Sequence, residues 1–376
     1  MIDRRVRDRV LLLLAIKPPG KLVDFEHIFE KVHRDSGASR EEILSELNKL
    51  VAEGLVEREG GLYRITEDGR REAWPLAFDE SMNRSYRYVL IARWYYKYVE
   101  NHILPFLRQR PVSVVKVFSD EEDPIGKVKP IFARYAKQKP KRYNYINSVA
   151  DLWRYIDMHA IDFVPYVHSR PDAQYPDWLV IDIDAGDVIK TAGSLGFGLI
   201  KDITIETYLT LVEDFEIKAC VKFSGSRGFQ IWATFDTPLG DFAAYRDSIK
   251  TIQRAVEKRL SERYGELREK YGNIFDTPIT TTEVAHAERR KKKILLDWSC
   301  LKPEGDVRAP WSLHWKTCLV SVPVDPKALS EFTPEDANPV KVAQNVERLS
   351  KYFDLAPSPS ALLKRATRPS LELFFG

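Results

Sequence analysis

The segment Trp178-Leu-Val-Ile-Asp182-Ile-Asp184 constrains this chain most. Its apolar, β-branched run reads as a buried strand, and residues two apart on a strand point to the same face. Asp182 and Asp184 therefore stand side by side at a strand end. Carboxylates held that close repel each other unless a cation lies between them. Hard divalent ions such as Mg²⁺ or Mn²⁺ prefer oxygen ligands of this kind. The same spelling also occurs in turns and at solvated strand ends, so the pair alone leaves both readings open.

The sequence around this strand predicts a mixed α/β domain. Leu179–Ile181, Ala219–Val221, Ile231–Ala233 and Ile294–Leu296 read as strands, and Ile203–Glu213 and Tyr245–Tyr264 as helices, with some antiparallel pairing. At 376 residues the chain has room for about two or three domains of roughly 100–200 residues each. Cys220, Cys300 and Cys318 are far apart and form no C-x-x-C pair, so neither zinc nor a disulfide framework is expected. With reduced thiols, a charged Met1–Arg9 stretch and no long apolar run, the expected location is the cytoplasm, with no membrane partner. The 58 basic residues nearly balance the 55 acidic ones. Any surface for nucleic acid must therefore come from local sorting of charge.

The first 75 residues have a pattern of their own. Val10–Ile16, Phe25–Val32 and Ile43–Val51 repeat at helical spacing, and Ser39 with Glu42 spells a capping box before the third run. Leu55–Arg58 and Leu62–Ile65 alternate around Gly60-Gly61, a hairpin signal. Three helices and a two-stranded wing predict a winged-helix domain. Its third helix carries Glu41, Glu42, Glu46 and Glu53 against Arg40 and Lys49, so protein contact and DNA contact both stay open. Ser81–Leu107 reads as an aromatic-rich helix and Val112–Phe118 as a buried strand. Beyond it, Arg134, Lys137, Lys139 and Arg142 interleave with Tyr135 and Tyr143, which fits either a solvated basic face or a nucleic-acid groove. The tail, residues 356–376, ends in an apolar tip of Leu371, Leu373, Phe374 and Phe375 that would dock on a partner or pack back.

Two more segments carry chemistry. Val221 to Trp232 is strand, glycine turn, strand. Gly225 and Gly228 let the backbone approach an anion, and Ser224, Ser226 and Arg227 add donors suited to phosphate; an ordinary hairpin is the plain alternative. Lys293-Ile-Leu-Leu-Asp297 ends an apolar strand on a carboxylate, which is costly when buried unless satisfied. Asp297 is thus a third candidate ligand, or a cap of the next turn. Three carboxylates holding two metals beside a phosphate nest is the layout of a two-metal nucleotidyl transferase.

The ordered series hhhDhD, S-G-x-x-G-h and hhD resembles the three motifs of archaeo-eukaryotic primases, most closely the polymerase domain of ligase D. Ile103 to Lys116 resembles the segment that opens that domain. Ile161-Asp-Phe-Val-Pro-Tyr resembles its E-h-H-P-W stretch. Arg308-Ala-Pro-Trp-Ser312-Leu-His314 resembles its phosphate segment, with His314 closer to small primase subunits. The likeness spans about residues 80–355 and implies an α/β primase-polymerase fold with antiparallel or mixed sheets. It implies Mg²⁺ or Mn²⁺ on Asp182, Asp184 and Asp297. Ser224, Gly225, Ser226, Arg227, Gln230, Ser312 and His314 would face an NTP or dNTP, and Lys116, Arg134, Lys137, Lys139 and Arg142 a DNA template or primer. DNA repair by end joining or primer synthesis is the implied setting, with a separate ligase, end-binding protein or primase subunit as partner. Two departures matter: Trp-Ser-Cys follows Asp297 in place of the ligase D pattern of polar residues, and the family's motif-two histidine is Gln230 here. A neutral amide binds a triphosphate more weakly than an imidazolium. The alternative expectation is a weakened or inactive primase-like subunit or adaptor.

Overall fold

The structure is a computed structural model that describes residues 4–283 and 291–367. The apolar tip predicted at 371–375 lies outside the described residues. The chain divides into two compact units. Unit 1 holds residues 1–100, 114–133 and 149–162, and unit 2 holds 101–113, 134–148 and 163–376.

Unit 1 opens with α1 (Arg4–Ala15), β1 (Val23–Asp24), α2 (Phe25–Ser36) and α3 (Arg40–Ala52). The hairpin β2 (Val56–Glu59) and β3 (Leu62–Ile65) joins β1 in a sheet ordered β1-β3-β2. The capping box on α3 is formed, with the Ser39 side chain accepting from the Glu42 amide and Glu42 accepting from the Ser39 amide. Asp24 caps α2, and Gly37 ends it in the left-handed region. After α4 (Glu67–Ala73), the long α5 (Arg84–Leu107) follows. Of its aromatic residues, Tyr86, Tyr88, Tyr95 and Tyr96 are buried, so most of that stripe is core. β4 (Val112–Ser119) pairs antiparallel with β5 (Val128–Ala133) from Val114↔Ala133 to Ser119↔Val128. The sequence reading had no strand at β5, because Pro130 stands inside it and its exposed residues, Lys129, Ile131 and Phe132, break the polar and apolar alternation. Next along the chain come β6 (Tyr135–Lys137) and β7 (Arg142–Tyr143), a short hairpin of unit 2, then α6 (Val149–Ile156) and β8 (Ala160–Pro165).

Unit 2 is built on β9 (Leu179–Ala185). α7 (Asp187–Thr191) and α8 (Gly193–Leu209) follow it, then β10 (Cys220–Phe223), β11 (Phe229–Ala233), α9 (Phe242–Ser261) and α10 (Tyr264–Tyr271). β12 (Thr280–Thr281), β13 (Ile294–Asp297) and β14 (Pro323–Val324) complete a six-stranded sheet, with α11 (Pro339–Ser350) and α12 (Ser360–Thr367) behind them in sequence. The sheet order is β12-β13-β9-β11-β10-β14. Within this sheet, among the described residues, β12–β13 is the parallel pair and the others are antiparallel. α8 begins ten residues before the helix read from sequence at Ile203. Gly193, Gly196 and Gly198 at its start are poor helix formers and masked it. No helix among the described residues is long and apolar enough to cross a membrane.

Candidate active site

The central sheet of unit 2 brings the distant polar residues into one row. Asp297 of β13 lies directly opposite Asp182 of β9, Asp182 lies opposite Gln230 of β11, and Gln230 opposite Lys222 of β10. Directly paired residues in an antiparallel sheet share a face. Asp297, Asp182, Gln230 and Lys222 therefore line one face, with Asp184 two residues along on the same side. That face is floored by Val180, Cys220, Trp232 and Trp178, which pack into one buried cluster. The opposite face of the same strands is wholly apolar: Ile181, Ile183, Val221, Phe223, Phe229 and Ile231 are all buried. One side anchors the sheet and the other carries the charge.

The electrostatics follow from this row. Asp182 is pushed up to about 7, first by burial, then by the neighbouring Asp184 and Asp297 carboxylates. Lys222 and a hydrogen bond from Gln230 oppose the shift. Asp184 turns to Lys190 of α7, whose ammonium donates at 2.9 Å. Asp297 accepts from the Ser299 amide at 2.6 Å. Lys222 is fully buried and donates to Ser321 at 2.6 Å. Gln230 also accepts weakly from the Trp232 indole at 3.4 Å, so its amide is engaged on both sides. Cys300 lies close enough to Asp182 and Asp297 that burial and their charge drive its thiol upward.

The glycine turn sits beside this row. Ser224 and Gly228 close it, amide to carbonyl at 2.9 Å. Gly225 has φ +87°, and a side chain there would stand 2.9 Å from the His314 Cβ. At Gly228 a Cβ would lie 2.3 Å from the Ile183 carbonyl oxygen, between the two carboxylates of β9. Arg308 donates to the Ser224 carbonyl at 3.1 Å and Thr317 to the Gly225 carbonyl at 2.5 Å. The segment carrying His314 is thereby tied to the turn. Arg227 is exposed at the tip and Ser226 half-buried. Ser312 is fully buried and accepts from the Phe163 amide at 2.7 Å. Its hydroxyl holds the backbone.

The predicted basic residues fall in two places. Arg134, Lys137, Lys139 and Arg142 are exposed on and around the β6–β7 hairpin of unit 2. That hairpin is anchored by Tyr135 and Tyr143, whose hydroxyls donate to Glu304, and by Arg134, 3.8 Å from Asp306. Lys116 is half-buried on β4 in unit 1. Sequence reasoning missed Lys190 and Lys222. Lys222 left a signal, being the one charged residue in an otherwise apolar strand. Lys190 left none.

Among the described residues, no group of three His, Cys, Asp or Glu side chains is drawn together tightly enough to hold a metal ion. Asp184 and Asp297 explain this, since one is turned to Lys190 and the other to the backbone. The donor set still fits a hard divalent ion. It is all carboxylate oxygen, and Asp182 carries a charge its surroundings disfavour.

A mixed α/β unit with acidic residues gathered on one face of its central sheet, beside a glycine turn, has the build of a primase or polymerase type of nucleotidyltransferase. The family model for the ligase D primase-polymerase domain (LigD, primase-polymerase domain) matches residues 92–356, and the chain belongs to that family, within the archaeo-eukaryotic primase superfamily. Among solved structures, the polymerase domain of Mycobacterium tuberculosis ligase D in complex with DNA matches at 17% identity and a TM-score of 0.47. The match covers 71% of this chain and 93% of that one. No curated protein matches.

Proposed function

We propose that this chain is a DNA-dependent nucleotidyltransferase that adds nucleotides to a primer 3′-hydroxyl, in primer synthesis or end repair. The observation that carries the reading is the register of Asp297 against Asp182, with Asp182 raised by burial and then by the neighbouring carboxylates. Asp182, Asp184 and Asp297 would hold two divalent ions. When bound, such ions supply charge for the triphosphate and acidify the attacking hydroxyl. The chain's own residues do the rest. Lys190 balances Asp184 in the free protein and is the group to be displaced. Lys222 and the Gln230 amide keep Asp182 fixed in its row. Arg227, Ser226 and the amides of the glycine turn offer donors to the phosphates, with His314 alongside. Arg134, Lys137, Lys139 and Arg142 suit a template or primer backbone. No protein nucleophile is required, because the attacking oxygen belongs to the primer. The N-terminal helices and hairpin have the order of a winged helix, and we read them as an accessory DNA or protein contact module.

Gln230 favours a second reading. Its amide donates to Asp182 and accepts from Trp232, so it has little left for a triphosphate. A catalytically weakened primase-like subunit or adaptor is consistent with that. One primer-extension experiment with Mn²⁺ separates the readings. Wild type extends, Asp182→Ala abolishes extension, and Gln230→His raises nucleotide affinity. Robust extension that survives Asp182→Ala would rule this assignment out. Absence of nucleotide binding in both wild type and Gln230→His would favour the adaptor.

A further inference from the structure

A cavity of about 360 Å³ lies wholly within unit 1, apart from the carboxylate row. Its walls are unusually rich in positive charge. One face of α2 contributes His27, Lys31 and Arg34, at positions four and then three apart, which align on a helix. Lys17 enters from the turn after α1 and Lys129 from β5. The facing acid is the exposed Glu121.

Not all of that charge is spent. Arg34 is occupied, its guanidinium 3.0 Å from both Asp35 and the Ser119 hydroxyl. Lys17 donates to His27 Nε2 at 3.0 Å, which requires a neutral imidazole acceptor. Lys31 and Lys129 make no hydrogen bond or ion pair with a described residue. Three ammonium groups therefore face the cavity against one carboxylate. The crowding shows at Lys17 and His27. Burial and then Lys31 and Lys21 lower Lys17, while burial and then Lys17 and Lys31 lower His27. His159 on the cavity wall is held down to about 4 by burial first and by Lys17, Arg93 and Lys116 after it. Phe118, Ile131 and Tyr86 supply an apolar wall. A cavity of this size, part apolar and with a few converging charges, is the ordinary build of a small-ligand site.

We propose that this cavity binds a phosphate polyanion, either one multiply charged unit or a run of diesters, through Lys17, Lys31 and Lys129. The phosphate would be carried by a small molecule or by a nucleic-acid strand. A tetrahedral polyanion matches separated ammonium groups, each a point charge with several donors. It would also relieve the repulsion between Lys17 and Lys31.

Calorimetric titration of the full chain with pyrophosphate, in chelator so that no divalent ion recruits it elsewhere, tests the proposal. Wild type binds, Asp182→Ala binds equally, and the Lys31→Ala/Lys129→Ala double variant loses at least about tenfold in affinity. Lys129 is exposed and Lys31 half-buried, so the double variant should fold; its melting temperature without ligand checks this. If it does not fold, Lys31→Gln alone is read instead, with a smaller loss expected. A single-stranded oligonucleotide without terminal phosphates separates the sources. Competition with pyrophosphate, with the same loss in the double variant, assigns the phosphate to a strand; no competition assigns it to a small molecule. An absence of binding by both probes to wild type, or affinity unchanged in the folded lysine variants, overturns the proposal.

Discussion

At the scale of single residues, Asp182 concentrates the tension of the site. Its carboxyl titrates near 7 in the folded chain, against 3.8 in its ordinary state. Between those values the folded protein holds a proton that the unfolded chain has released. Stability then falls as pH rises through this window and is fully retained below it. One pKa unit corresponds to about 1.4 kcal/mol, so the loss is at most about 4 kcal/mol. Asp182→Asn keeps the shape and removes the charge. In chelator, wild type should lose melting temperature from pH 5 to 8, and the variant should lose less and melt higher at pH 8. Added Mn²⁺ should recover stability in wild type more than in the variant, because metal binding stabilises only the state that holds the ligands in place. A wild-type melting curve that ignores pH across this range would show that burial and the neighbouring carboxylates do not raise Asp182. The cost is of the kind expected where residues are chosen for chemistry, since such sites are held against local stability.

At the scale of elements, the carboxylates depend on how closely β11 and its turn approach β9. Gly228 permits that approach, because any Cβ there would collide with the Ile183 carbonyl at 2.3 Å. Backbone cannot swing aside as a long side chain can. Gly228→Ala should therefore cost about 1–3 kcal/mol, the usual range for overpacking. It should also displace the peptide that links Asp182 and Asp184. Chemical denaturation measures the first effect, and nucleotide binding by the folded variant measures the second. Full stability and full binding would show that the turn has slack. The turn and the three acidic residues of β9 and β13 were legible in the sequence because apolar runs broken by a carboxylate stand out without partners. The pairings that make them a site were not. Which strand lies beside β9 is decided by the whole sheet, and nothing in Lys293–Asp297 alone sets its register against Asp182. Lys190 was invisible for a similar reason, since it reaches Asp184 only through the turn into α7. β5 was lost because Pro130 interrupts it and Ile131 and Phe132 are exposed, so no alternation marks the strand. The glycines opening α8 hid the start of a helix whose later turns were plain.

At the scale of the whole molecule, each unit has its own centre, and that of unit 1 is near its first helix. Val10, Leu11, Leu12, Leu13, Leu14, Ala15 and Ile16 are each no more than 1% exposed. A helix covered on every side is a core element and not a surface one. Burying a large apolar side chain contributes roughly 1.5–3 kcal/mol. The gross contribution of this run is thus comparable to the net stability of a whole domain, about 5–15 kcal/mol. Polar ties join the same N-terminal segment to the rest of unit 1. Asn83, itself buried, donates to Asp35 and to Ser119 at 2.8 Å each, and Trp74 stacks on Trp94 with ring centres 4.8 Å apart. Removal of residues 1–79 should therefore expose apolar surface on residues 84–100, 114–133 and 149–162. Hydrogen exchange on the truncated chain reads this directly. Amides of Val114–Ser119 should lose their protection, while those of β9 and β11 in unit 2 keep theirs. Protection retained along Val114–Ser119 would mean that the N-terminal segment is dispensable to the unit it shares.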